Sequence, residues 1–111
     1  MANQNKSEKQ IQNEIRLTLS AVAVVHRINV GVFKTTDGRV VSTGVPTGFT
    51  DLFGHRRSDG RAFYLEVKKP GQNPRANQTK FMDAMRNAGA IAGVATSADE
   101  AMRIVMEAKH E

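Results

Sequence analysis

Two stretches, GFTDLFG at residues 48–54 and FYLEVKKPG at residues 63–71, decide the fold. Strand alternation in the second sets Phe63, Leu65 and Val67 on one face and Tyr64, Glu66 and Lys68 on the other. The first set is a core face. Asp59-Gly60 lies between the stretches and reads as a two-residue hairpin turn. Pairing Ser58 with Arg61 and counting back sets Phe53 opposite Glu66 and Asp51 opposite Lys68. Asp51 and Glu66 then become diagonal neighbours, about 7–8 Å apart at the backbone, close enough for their carboxylates to share one metal ion.

Outward from this hairpin, Ser7 opens a helical pattern with Ile11, Ile15, Thr18, Leu19 and Val22 on one face. Around His26 the sequence turns β-rich, and RINVGVFKT, the Asp37-Gly38 turn and RVVST read as a further hairpin. Basic residues flank that turn; a plain hairpin explains them better than a wing lying on a duplex. Beyond the E-x-K strand, Asn73 as N-cap and Pro74 at the first helical position open a second helix. Gln78, Phe81, Met82 and Met85 line its face, and Gly89 ends it. AIAGVAT at 90–96 reads as a short buried strand, and Ser97 with Glu100 as a capping box for a last helix with Ile104, Val105 and Ala108 inward. The expected fold is α/β, of order αβββαβα: a mixed central sheet flanked by helices, with a C-terminal helix. Residues 1–111 read as one domain without internal repeats.

Composition removes several functions. The 111 residues contain no cysteine, and His26, His55 and His110 have no ligand spacing, so thiolate catalysis and zinc chemistry are not expected. The apolar run Leu17–Val25 is far short of the roughly 20 residues that cross a bilayer. Acidic Glu8 and Glu14 precede it, unlike a secretory leader. No membrane association is expected, and a cytoplasmic location is. Sixteen Lys and Arg against eleven Asp and Glu leave a net charge of +5, which suits a polyanionic partner.

Two carboxylates and an amine on one patch pose an energetic problem. At about 5 Å and an effective dielectric near 20, the carboxylates repel by roughly 3 kcal/mol. A divalent cation removes that repulsion, and oxygen-only ligands suit Mg²⁺ or Mn²⁺. Such an ion can stabilise charge building on a phosphate, while Lys68 orients or deprotonates an attacking water. Glu-x-Lys alone commonly marks a solvated ion pair, and it is Asp51 in register that favours a site. Glu14 borders the apolar stripe of its helix and can be either a site residue or a solvated surface acid. Gln78 lies on an apolar stripe, where its amide needs either a site partner or free first-turn backbone groups. Arg56, Arg57, Arg61, Lys69, Arg75 and Lys80 flank these elements as a candidate basic rim for a phosphate backbone. Aromatics make up only 5% of the chain, which argues against a base-stacking module.

These residues, GFTDLFG followed by a hairpin and then YLEVKKPG, resemble the PD-(D/E)xK nuclease superfamily. Within it they are most similar to the virus-type replication-repair nuclease family, VRR-NUC, and to its small stand-alone members from phages and bacteria. The likeness runs from about Glu14 to Val94. It implies a restriction-endonuclease-like αβββαβ core, with Asp51, Glu66 and the Val67 carbonyl as metal ligands. It further implies Lys68 as the catalytic lysine, Gln78 as the helix glutamine and Glu14 as the leading-helix acid at the metal site. Thr50 stands where the superfamily's name has Pro, and leaves the ligand in place. The implied activity is Mg²⁺- or Mn²⁺-dependent endonucleolytic hydrolysis of branched DNA such as four-way junctions or flaps, giving 5′-phosphate and 3′-hydroxyl ends. Two cuts at a four-way junction call for a homodimer, acting in a bacterial cell or phage-infected host. The competing readings are a non-catalytic DNA-binding module on the same fold and a sequence-specific restriction-type endonuclease.

Overall fold

The computed structural model describes residues 5–28, 30 and 32–107, without the side chains of 32 and 33. Helix α1, Glu8–Leu19, is capped by Ser7, whose hydroxyl accepts from the Gln10 N–H while the Gln10 side chain accepts from the Ser7 N–H. Strand β1, Ala23–Arg27, follows directly. Strands β2, Val32–Lys34, and β3, Val40–Ser42, pair only with each other, as a two-stranded ribbon. Then come β4, Leu52–Arg56, β5, Ala62–Val67, helix α2, Ala76–Asn87, strand β6, Ile91–Ala95, and helix α3, Ala98–Glu107.

The main sheet has the order β1-β4-β5-β6, antiparallel except for the β5–β6 pair. Leaving out the ribbon, the order is the expected αβββαβα, and the sheet is mixed and flanked by helices. One face carries Leu52, Phe63, Leu65, Val67, Ile91 and Ala95, all buried against Ile11, Ile15 and Leu19 of α1 and Ala101 and Val105 of α3. On the opposite face Phe81 of α2 meets Phe49 and Tyr64 at ring-centroid distances of 4.7 and 5.5 Å. Helix α2 stops in the expected way. Gly89 has φ +98°, and the Gly89 and Ala90 N–H groups donate back to the Arg86 and Met85 carbonyls, satisfying orphan acceptors.

Four local expectations need correction. RINVGVFKT is not one strand: the sheet strand begins earlier, at Ala23, and ends at Arg27, and β2 belongs to the separate ribbon. An exposed ribbon and a sheet edge share the same β-rich composition, so propensity cannot separate them. The N-cap of α2 is Arg75, two residues after Asn73, because the Gln78 side-chain oxygen accepts from the Arg75 N–H at 2.8 Å. At α3, Ser97 accepts from the Glu100 N–H as expected, but the Glu100 carboxylate reaches back one residue further, to the Thr96 N–H and hydroxyl. The hairpin register is the fourth, described next. The expectations for Ala108 and His110, and for Asn29 and Gly31 within RINVGVFKT, lie outside the described residues.

Candidate active site

The β4–β5 hairpin closes on four residues rather than two. The Arg56 N–H donates to the Arg61 carbonyl and the Gly60 N–H to the Arg56 carbonyl, with Gly60 at φ +75°. Asp59 holds this wider loop: its carboxylate pairs with the Arg56 guanidinium and accepts from the Arg61 N–H. Phe53 therefore faces Tyr64, not Glu66, and Leu52 faces Leu65. Continued one step past the ladder, the same register sets Asp51 opposite Glu66 rather than opposite Lys68. The slip is two residues, an even number, so every side chain keeps its face and the acid pair becomes direct instead of diagonal.

Asp51 is fixed by the strand it faces, since its Oδ2 accepts from the Val67 N–H at 2.8 Å. Glu66 is 1% exposed. Its Oε2 accepts from Gln78 Nε2 at 2.8 Å and lies 3.4 Å from Lys68 Nζ. Its Oε1 has no hydrogen-bond partner among the described residues. Burial, and then the charge of Asp51, push the Glu66 carboxyl up to about 7 from its ordinary 4.5, against the pull of Lys68. A buried carboxylate oxygen left without a partner beside a second carboxylate is an energetic debt of a few kcal/mol that a hard cation would cancel. The donor set is all oxygen, so the residues present fit Mg²⁺ or Mn²⁺.

Gln78 satisfies both expectations at once, with its amide oxygen on the α2 cap and its amide nitrogen on Glu66. Glu14 does not join them. It pairs with Lys6, Nζ to Oε2 2.7 Å, and no group of three His, Cys, Asp or Glu side chains forms among the described residues. Helix α1 instead turns Gln12 toward the site. Two residues advance a helix by about 200°, so Gln12 and Glu14 cannot face the same way.

Asp51 opens into a cleft of ≈ 570 Å³ at the end of the sheet where β1 finishes and β4 begins, walled by Gln12, Arg27, Phe49, Arg75 and Gln78. Gly48 lets the preceding loop form this wall: a Cβ there would stand 2.3 Å from the Asn77 carbonyl oxygen. Of the expected basic rim, Arg75 is exposed on the cleft, Lys69 adjoins Lys68, and Lys80 is exposed on α2. Arg56, Arg57 and Arg61 sit at the far end of the hairpin, about 17 Å along β4 from Asp51. Arg56 is 5% exposed and donates to the Val105 carbonyl as well as to Asp59, so it braces α3 and is closed to DNA. Arg61 donates to the Gly89 carbonyl.

Sequence reading missed Gln12, Arg27 and the aromatic wall. Gln12 lies between Ile11 and Ile15 on a buried stripe, and the reasoning that singled out Gln78 applies to it unchanged. Arg27 faces Leu52 across the β1–β4 ladder, next to Asp51, a position that needs the tertiary pairing. The few aromatics are concentrated: Phe49 contacts Phe53, Tyr64 and Phe81, with centroids 4.7–5.8 Å apart, and His26 lies on Phe53 at 5.3 Å.

A mixed four-stranded sheet flanked by helices, with an acid pair and a lysine at one end, defines a chain of the restriction-endonuclease-like α/β class. Residues 5–99 match the VRR-NUC domain family, and the chain belongs to that family. A solved structure described as a VRR_NUC domain superimposes with a TM-score of 0.65 at 21% identity, over 92% of this chain and 97% of the other, and shows the same fold. No protein with a curated description matches. VRR-NUC is a nuclease family, and membership gives this protein a nuclease-type role in DNA processing. No helix among the described residues is long and apolar enough to cross a membrane.

Proposed function

We propose that the protein is a Mg²⁺- or Mn²⁺-dependent endonuclease that hydrolyses phosphodiester bonds in branched DNA, such as four-way junctions or flaps. It leaves 5′-phosphate and 3′-hydroxyl ends and works as a homodimer of single-domain chains in the cytoplasm of a bacterial or phage-infected cell. The observation that carries the reading is the pairing of half-buried Asp51 with buried Glu66, with Lys68 Nζ 3.4 Å from Glu66 and Glu66 Oε1 without a hydrogen-bond partner among the described residues. Asp51, Glu66 and the Val67 carbonyl would hold the cation. When bound, it would neutralise charge developing on the scissile phosphate.

The remaining steps belong to the chain's own groups. Lys68, held against Glu66, orients the attacking water and accepts or shares its proton. Gln78 keeps Glu66 turned inward through its amide N–H, so the carboxylate presents Oε1. Arg27 and Arg75 stand at the cleft as cations for the phosphates on either side of the cut, with Lys69 and Lys80 further out.

The test is cleavage of end-labelled four-way junction, flap and linear duplex DNA with Mn²⁺ or Mg²⁺, beside Asp51→Ala. Cutting of branched substrates that vanishes in the variant supports the reading. Tight binding with no cutting under either metal overturns it in favour of a DNA-binding module, and cutting of linear duplex at fixed sites in favour of a restriction-type enzyme.

A further inference from the structure

Gln12 is 8% exposed, and its Oε1 has no hydrogen-bond partner among the described residues, yet its side chain forms part of the cleft wall with Asp51 and Gln78. An unmet buried amide oxygen costs about 1–3 kcal/mol. Two of the three unpartnered buried side-chain oxygens found among the described residues belong to Gln12 and Glu66, both at this end of the sheet. Both are acceptors, so what completes them must be a donor or a cation. No carboxylate of α1 competes for the place, since Glu14 is held by Lys6 and no third acid accompanies Asp51 and Glu66 among the described residues.

Resting on the nuclease reading above, we propose that Gln12 supplies a neutral oxygen ligand to the cation held by Asp51 and Glu66, and that the DNA-free cleft therefore holds one divalent cation. The charge count agrees. Two carboxylates balance one divalent ion, and Lys68 already adds a positive charge, so a second ion would stand uncompensated beside two cations. A neutral amide oxygen contributes a ligand without further charge, which suits a site that must also admit an anionic phosphate.

The test is titration of the full chain with Mn²⁺ alone, without DNA, followed by calorimetry and by the electron paramagnetic resonance of free Mn²⁺. Wild type is expected to bind one Mn²⁺ per chain. Gln12→Leu, of similar volume, is expected to weaken binding roughly 10- to 100-fold with far-UV circular dichroism unchanged. Gln12→Glu, which adds a charged oxygen at the same reach, is expected to tighten it by a similar factor. Two Mn²⁺ per wild-type chain, or an unchanged affinity in either variant, overturns the inference. Should Gln12→Leu fail to fold, Gln12→Glu decides alone. Loss of binding in Asp51→Ala without any loss in Gln12→Leu overturns the role of Gln12 and leaves the nuclease reading standing. Absence of Mn²⁺ binding in wild type, with no DNA cleavage, overturns both.

Discussion

Replacing Glu66 by Gln tests the energetic core of the site without DNA. The Glu66 carboxyl is raised from 4.5 to about 7 by burial and by Asp51. A raised carboxyl binds its proton more tightly in the folded state than in the unfolded one. The stability this lends is full below pH 4.5 and is lost as pH climbs through about 7. At about 1.4 kcal/mol per pH unit, the window amounts to about 3 kcal/mol. For a domain of this size that corresponds to a melting shift of roughly 10 °C. Glu66→Gln keeps the shape and cannot ionise. Urea unfolding in EDTA at pH 4.5, 6 and 8 should therefore show wild type losing about 3 kcal/mol relative to the variant across the window. Adding Mn²⁺ at pH 8 should restore wild type and leave the variant unchanged, because a ligand bound only to the folded state stabilises it. Parallel pH profiles for the two proteins would refute the reasoning, since they would mean that the charge on Glu66 is solvated in spite of its burial.

Lys68→Ala is expected to slow cleavage of a branched substrate by about 10²- to 10⁴-fold while Mn²⁺ still binds, measured by single-turnover kinetics and calorimetry. Arg27→Ala and Arg75→Ala should each weaken DNA binding and lower the slope of log affinity against log salt by about 1, read by fluorescence anisotropy. Arg56→Ala should leave that slope unchanged and instead cost about 1–3 kcal/mol in urea unfolding, because it removes the guanidinium that bonds Asp59 and the Val105 carbonyl. A dimer is expected by sedimentation at micromolar concentration; a monomer there would remove the two-cut account of junction resolution.

The strand alternation of Phe63–Lys68 was sufficient to separate the core face from the polar face, because a period of two is a local property of extended backbone. Ser7 at the start of α1, and Gly89 after α2, were legible for the same reason: caps involve residues three or four apart. The sequence spacing also anticipated that Glu66, Lys68 and Gln78 come together, as their contacts show. The register error did not spoil this, since it was even. Its source was one side chain: Asp59 draws Arg56 and Arg61 into a four-residue loop, and no turn propensity encodes that pairing.

What the sequence determined by itself is the chemistry available, an acid pair with a lysine on a strand, and the order of elements that carries it. What only the tertiary structure decided is which groups reach that pair. The packing of α1 brought Gln12 and not Glu14 to the cleft, and the β1–β4 ladder set Arg27 beside Asp51. Contact with α3 withdrew Arg56 from any DNA-facing role. The physical reason is the same in each case: side-chain period is set within one element, whereas the rotation and register of one element against another are set by packing across the whole core.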